Sequence, residues 1–290
     1  MTKLESIKTK LKGVIPWQLR YHMKLFEAVH PNFHLPMKFN QDVSHYNEVL
    51  YEYLERIGGV DAVNGKTVCE LGPGQFLTHA ALLYQLGAEN TYLLDIDDLA
   101  KSTESKVKTK DIRLKDSSAR KCKLPRLQED ETWSTYIKKV GGIYQTDGLN
   151  GYKKIPDNSV DFVISDAVFE HIRKKIFVES ISEMYRFSRC GGISCHIVDL
   201  RDHFGGGKNQ LRFSEETWED EAHYRMDNYT NRLSCKEICE ICENVGFQIM
   251  KLERSLYEKM PIKRAELDVR FNDMDDTELM TAAFMIMMKK

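Results

Sequence analysis

Glu70, Gly72, Gly74 and Asp95 have the types and spacing of a site for a nucleoside-bearing ligand. An apolar run, Thr67-Val68-Cys69, ends in Glu70, and Leu71-Gly72-Pro73-Gly74-Gln75 follows as a tight loop. A helical pattern then runs to Gly87, and a second apolar run, Tyr92-Leu93-Leu94, stops at Asp95. Glycine lets a backbone approach a ligand closely, and a carboxylate at the next strand's tip can accept hydrogen bonds from ribose hydroxyls. A dinucleotide fingerprint would need glycine or alanine at position 77, which is Leu. Glu70 would also sit badly beside a pyrophosphate, and it suits a cationic, amino-acid-bearing cofactor.

A second group of reactive side chains lies downstream. The run His196-Ile197-Val198-Asp199-Leu200-Arg201-Asp202-His203 ends an apolar segment, with strand alternation putting Asp199 and Arg201 opposite His196 and Leu200. His203 beside a carboxylate is a candidate general base, since its ordinary pKa lies near working pH. The same Asp199, Asp202 and His203 could instead bind a divalent metal that polarises an acceptor, or form a structural polar network. The sequence by itself assigns no metal site. Glu170-His171 opens the helix after Asp166, and His171 is a further catalytic candidate whose other reading is a capping or packing residue. Tyr46, Asp202 and His223, the last near Trp218, are candidates to line an acceptor pocket.

These residues need an alternating framework to hold them. Strand-like runs recur at residues 67–70, 92–95, 142–147, 160–166, 193–200, 248–252 and 284–288, separated by helical patterns. That alternation predicts an α/β fold. Ligands then bind beyond the carboxyl ends of the strands. Residues 1–59 read as a helical N-terminal extension, with an amphipathic helix over Ser44–Ile57 that ends before Gly58-Gly59. The core domain spans 60–290, with a basic insertion near 101–126 as a lid or substrate loop and a connecting helix over Thr132–Val140. Gly205-Gly206-Gly207 marks a loop that could gate the site.

The strand-loop-helix-strand unit with E-x-G-x-G and an acidic second tip resembles motif I of the class I S-adenosylmethionine-dependent methyltransferases. The Ile155-to-Asp166 segment, continuing as Val168-Phe169-Glu170-His171-Ile172, is similar to that family's fourth-strand region. The resemblance covers roughly residues 60 to 290 and implies a doubly wound, mostly parallel sheet of seven strands with the last antiparallel. It implies that Glu70, Gly72 and Gly74 contact the methionine moiety of S-adenosyl-L-methionine. Asp95 would hold the ribose, with Asp97 as the alternative, Asp147 with Gly148 would meet the adenine amine, and Asp166 would lie beside the transferable methyl. The HIVDLRDHF and NRLS segments resemble bacterial glycan and natural-product methyltransferases, which implies O-methylation of a sugar or sugar-linked hydroxyl, with S-adenosyl-L-homocysteine as product. Transfer to nitrogen and a catalytically silent scaffold are the alternatives.

Bulk properties narrow the partners. A net charge of −2 argues against general nucleic-acid binding, while Lys/Arg concentrate in residues 1–24 and 106–126. Those basic stretches suit an anionic acceptor or peripheral membrane contact through residues 1–24, or they are solvated helix faces. No apolar run is long enough to span a bilayer, and Met1 to Lys12 is too polar for a secretory signal. Seven cysteines, an odd number, suit a reducing compartment and a cytoplasmic location. Cys235-x-x-x-Cys239-x-x-Cys242 has the spacing of an iron-sulfur ligand set, but Ser234 and Glu237 predict a capping box and a helix whose thiols face the core. Oligomeric state is not legible.

Overall fold

The computed structural model describes residues 16–29, 43–102, 112–128, 131–226 and 229–290. Seven segments pair as strands: Thr67–Leu71 (β1), Asn90–Leu94 (β2), Gly142–Gln145 (β3), Val160–Asp166 (β4), Ser188–Asp199 (β5), Gln248–Leu256 (β6) and Thr281–Lys289 (β7). They form one sheet in the order β3-β2-β1-β4-β5-β7-β6. All neighbours are parallel except β7, which runs antiparallel to β5 and β6. This is the seven-stranded, mostly parallel α/β sheet that the family resemblance implies. The winding reverses between β1 and β4, so a ligand crevice opens beyond their carboxyl ends.

The helices are Trp17–Val29 (α1), Val43–Arg56 (α2), Thr78–Gln85 (α3), Trp133–Tyr136 (α4), Leu149–Lys153 (α5), Lys174–Phe187 (α6), Glu215–Trp218 (α7), Glu221–Tyr224 (α8), Cys235–Val245 (α9) and Asp276–Met280 (α10). Leu50, Tyr53, Leu54 and Ile57 recur at helical spacing, and all four are buried in one cluster with Val68, Leu82 and Leu93. Each such side chain contributes about 1.5–3 kcal/mol by leaving water. Thus α2, though N-terminal to the first strand, packs into the same core as β1 and α3. On the opposite face of the sheet, Phe177, Ile181 and Met184 of α6 meet Ile238, Cys239 and Cys242 of α9 and Val163 of β4.

The cysteine triplet is core, as the helical spacing predicts. Cys235, Cys239 and Cys242 are all buried and free of disulfides. The Ser234 hydroxyl accepts the Glu237 amide, and the Glu237 carboxylate accepts the Ser234 amide, so both halves of the capping box form.

Three boundaries differ from the sequence expectation. The helix after β4 ends at Phe187 and β5 starts at Ser188, so Gly191-Gly192 lies inside the strand. A register shift between Val160 and Phe162 and the pairing of Gly191 N with Lys290 O (2.8 Å) accommodate it. β3 stops at Gln145, two residues before Asp147. The expected helix over Thr132–Val140 is one α turn, α4, continuing as a 3-10 turn at Ile137–Val140. Of the insertion, residues 103–111 fall outside the described chain. Ile112 is buried, Leu114 and Leu124 pack on the same cluster, and Lys115 N donates to Tyr51 Oη of α2 at 2.9 Å. Residues 1–15, which carry most of the N-terminal basic stretch, and the side chain of Tyr46 also lie outside the described residues. Among the described residues, no helix is long and apolar enough to cross a membrane.

Candidate active site

The first turn after β1 is built for close approach. Gly72 and Gly74 both adopt φ of 65°. A Cβ added at Gly72 would lie 2.4 Å from Val168 Cγ2, so the segment after β4 closes directly over the turn. Leu77 (φ 52°) starts α3 and Ala167 (φ 52°) follows β4, two non-glycine residues in left-handed backbone on either side of this crevice. Such conformations cost roughly 1–3 kcal/mol and collect where a site needs them. The indole of Trp133 donates to the Phe76 carbonyl and pins the far end of the loop.

Glu70 is buried at the end of β1. His79 of α3 donates from Nδ1 to Glu70 Oε1 at 2.6 Å, while Glu70 Oε2 is buried with no hydrogen-bond partner. Asp95, just beyond β2, accepts the Ile96 amide on Oδ1 at 2.8 Å, and its Oδ2 is likewise buried without a partner. Burial pushes the Asp95 carboxyl up to about 6, against the pull of the amides of Ile96, Gly74 and Asp97. A buried acceptor left without a donor costs roughly 1–3 kcal/mol. A ligand presenting an ammonium to Glu70 and a diol to Asp95 would relieve both, so these residues fit an amino-acid-bearing nucleoside.

The loop after β3 lies against the same end. Gly148 N donates to the Asp95 carbonyl at 3.0 Å. Asp147 is half-exposed and ion-paired with Lys154. Asp97 uses one carboxylate oxygen to accept the Asp98 amide at 2.8 Å. Ile96, 73% exposed beside Asp95, presents a large apolar side chain against which a planar base could rest. Nothing but its place next to an acidic strand tip would have singled it out in the sequence.

Tyr53 is the principal residue that sequence reasoning missed. Its hydroxyl, carried on α2, donates to the Ser165 carbonyl at 2.6 Å, at the end of β4. Burial raises its pKa, and the charges of Asp166 and Glu70 add to the rise. Tyr53 thus stands between the first and fourth strand tips. It lies on the same helix as Tyr46, seven residues on.

At the ends of β4 and β5 lies a dense polar cluster. His196 is fully buried, its Nδ1 2.7 Å from Ser165 Oγ and its ring stacked on Phe169 at 4.2 Å; burial drives its pKa down to about 3. Glu170 is 1% exposed, and its Oε1 accepts the Asp199 amide at 3.1 Å while Oε2 has no partner. Burial raises the Glu170 carboxyl well above its ordinary range. His171 donates from Nδ1 to the Tyr229 carbonyl at 2.6 Å and stacks on His203, ring centroids 4.9 Å apart. Burial and then the neighbouring His203 lower His171 to about 4. Burial also lowers His203, opposed by Asp199 and Asp202.

The carboxylates around His203 also hold other partners. Asp199 holds Arg201 through three contacts, the backbone amide to Oδ1 at 2.9 Å, Nε to Oδ1 at 2.8 Å and Nη2 to Oδ2 at 2.6 Å. Burial alone would raise Asp199, but the Arg201 hydrogen bonds outweigh it and keep the carboxyl low. Asp202 is buried, and both its oxygens accept from the glycine loop: Phe204, Gly205 and Gly206 amides on Oδ1, Gly207 and Asn209 on Oδ2. Its side chain folds that loop. His223 is also buried, donating to Asp220 at 2.8 Å and accepting the Tyr21 hydroxyl at 2.5 Å within an aromatic cluster with Phe204 and Trp218. That cluster docks α1 onto the loop that carries His203.

No protein-family model and no curated protein sequence matches the chain. Solved structures do resemble it. An S-adenosylmethionine-dependent methyltransferase from Archaeoglobus fulgidus is 14% identical, covering 84% of this chain and 94% of its own, with a TM-score of 0.47. One from Mesorhizobium loti is 12% identical, covering 80% and 99%, with a TM-score of 0.43. Phosphoethanolamine N-methyltransferase 2 of Haemonchus contortus, in complex with S-adenosyl-L-methionine, is 15% identical and covers 84% of this chain but 52% of its own (TM-score 0.47). These likenesses are likenesses of fold.

Proposed function

We infer that the chain transfers the methyl group of S-adenosylmethionine to a hydroxyl of a small molecule, a sugar or sugar-linked acceptor, releasing S-adenosylhomocysteine. One observation carries the cofactor part of this reading: two buried carboxylate oxygens without partners, Glu70 Oε2 and Asp95 Oδ2, flank a turn whose glycines both have positive φ. The bound cofactor supplies an electrophilic methyl on a sulfonium. Glu70 holds the ammonium of its amino-acid end and Asp95 the ribose hydroxyls, with Ile96 and Gly148 beside the base. Tyr53 and Val168 close the crevice from above the strand tips and exclude water. In-line transfer needs chiefly a fixed near-attack geometry and removal of the hydroxyl proton. The His171, Asp199 and His203 cluster at the ends of β4 and β5 assists that proton's departure.

The test is methyl transfer to a panel of sugar hydroxyls and amines, read by mass spectrometry, with wild type and His203→Ala. Hydroxyl methylation that falls by about 10²–10⁴ in the variant supports the reading. A loss below tenfold would make His203 structural. Turnover of amines alone would point to nitrogen transfer, and cofactor binding without turnover of any acceptor to a silent scaffold.

A further inference from the structure

We propose that Glu170, His171 and His203 hold one divalent transition-metal ion at the ends of β4 and β5. One ligand atom from each of the three residues lies within 4.8 Å of the other two. Metal–nitrogen and metal–oxygen distances of about 2.0–2.2 Å span such a triangle after small side-chain shifts.

The surrounding bonds are arranged as a metal site requires. His171 is tied by its Nδ1–H to the Tyr229 carbonyl, which fixes the ring and leaves Nε2 as the lone-pair nitrogen. Glu170 is anchored through Oε1 by the Asp199 amide, and its second oxygen is buried and unpartnered. The cluster is reached from solvent on the His203 side. Asp199, closed on Arg201, and Asp202, filled by loop amides, are the acidic side chains nearest His203 in sequence, and among the described residues the clustered ligand atoms come from Glu170, His171 and His203. The ligand set is therefore two imidazoles and one carboxylate, which favours manganese, iron, cobalt or zinc over calcium or magnesium and leaves positions open.

If the methyl-transfer reading holds, an open position receives the acceptor hydroxyl. Coordination lowers its pKa; the O–H bond breaks and the proton leaves to water. The oxygen electron pair then forms the bond to the methyl carbon as the carbon–sulfur bond breaks toward sulfur. Ion binding itself does not depend on that reading.

The experiment uses the full chain, stripped with EDTA and freed of chelator. Mn2+ is titrated against it and free ion followed by electron paramagnetic resonance; Zn2+ is titrated in competition with a chelating dye. Wild type should bind one equivalent. His203→Ala, at the solvent side, and Glu170→Gln, which keeps the acceptor for the Asp199 amide, should each weaken binding at least tenfold. Near-UV circular dichroism checks that both variants fold. No binding by wild type, or equal binding by wild type and folded variants, overturns the proposal. S-adenosylhomocysteine titrations on the same samples separate the two ideas. Ion binding without cofactor binding would leave the metal site standing and remove the methyl-transfer reading; the reverse would do the opposite.

Discussion

Asp95 shows how a buried carboxyl at a candidate site strains its own fold. Its carboxyl, at 3.8 in ordinary surroundings, is pushed up to about 6 because burial disfavours the charge. For an acid whose folded pKa is raised, the folded state keeps a proton that the unfolded state has lost between about pH 4 and 6. Stability therefore falls as pH rises through that window. At pH 7 the ionised group costs about 1–3 kcal/mol, at 1.36 kcal/mol per unit. Asp95→Asn should raise Tm at pH 7 and leave it nearly unchanged at pH 4, while weakening S-adenosylhomocysteine. In the wild type, affinity for that ligand should fall as pH drops below about 6, because protonation removes the charged acceptor for the ribose. Calorimetry between pH 4 and 8 checks both signs. Gly72 gives a second, steric prediction. Gly72→Ala must adopt φ of 65° and bring a Cβ to 2.4 Å from Val168 Cγ2. A loss of at least about 1–3 kcal/mol in stability is expected from the backbone alone, read by urea unfolding, together with weaker cofactor binding. An unchanged midpoint would mean that the turn can open freely.

Among elements, the legible ones were those whose apolar residues repeat. The strands announced themselves as short apolar runs ending in Glu70, Asp95 and Asp166, and α2 as a stripe at Leu50, Tyr53, Leu54 and Ile57. β5 was mis-bounded because Gly191-Gly192 reads locally as a break, and only its pairing with the last residues of the chain overrides that signal. The candidate site was half legible as geometry. Glu70 and Asp95 are marked by their strand tips, but His79 on Glu70 and Tyr53 on Ser165 depend on helices crossing the sheet, which no local pattern encodes. The approach of Glu170 and His171 to His203 is likewise made by the pairing of β4 with β5. Asp202 looked chemical because of its neighbour, whereas the glycine loop needs its oxygens as acceptors. Tyr53→Phe tests the part played by α2. Losing the bond to the Ser165 carbonyl should cost about 0.5–1.5 kcal/mol in stability, and turnover should fall by a larger factor than stability predicts if the hydroxyl orders the crevice. A purely structural tyrosine would lower Tm and leave kcat untouched.

At the scale of the molecule, one sheet positions everything. Reversal of the winding between β1 and β4 opens the crevice, α2 and α3 close one face, α6 and α9 close the other, and α1 docks on the loop carrying His203. A ligand bound only by the folded state stabilises it by RT ln(1 + [L]/Kd), about 2.7 kcal/mol at a hundredfold excess over Kd. Calorimetric titration of the purified chain with S-adenosylhomocysteine, with NAD as the comparison, tests the central claim most directly. Micromolar binding of S-adenosylhomocysteine, strongly weakened in Asp95→Ala and absent for NAD, is the expected result. Binding of NAD instead, or of neither ligand, would contradict the assignment of Glu70, the glycine turn and Asp95 to this cofactor.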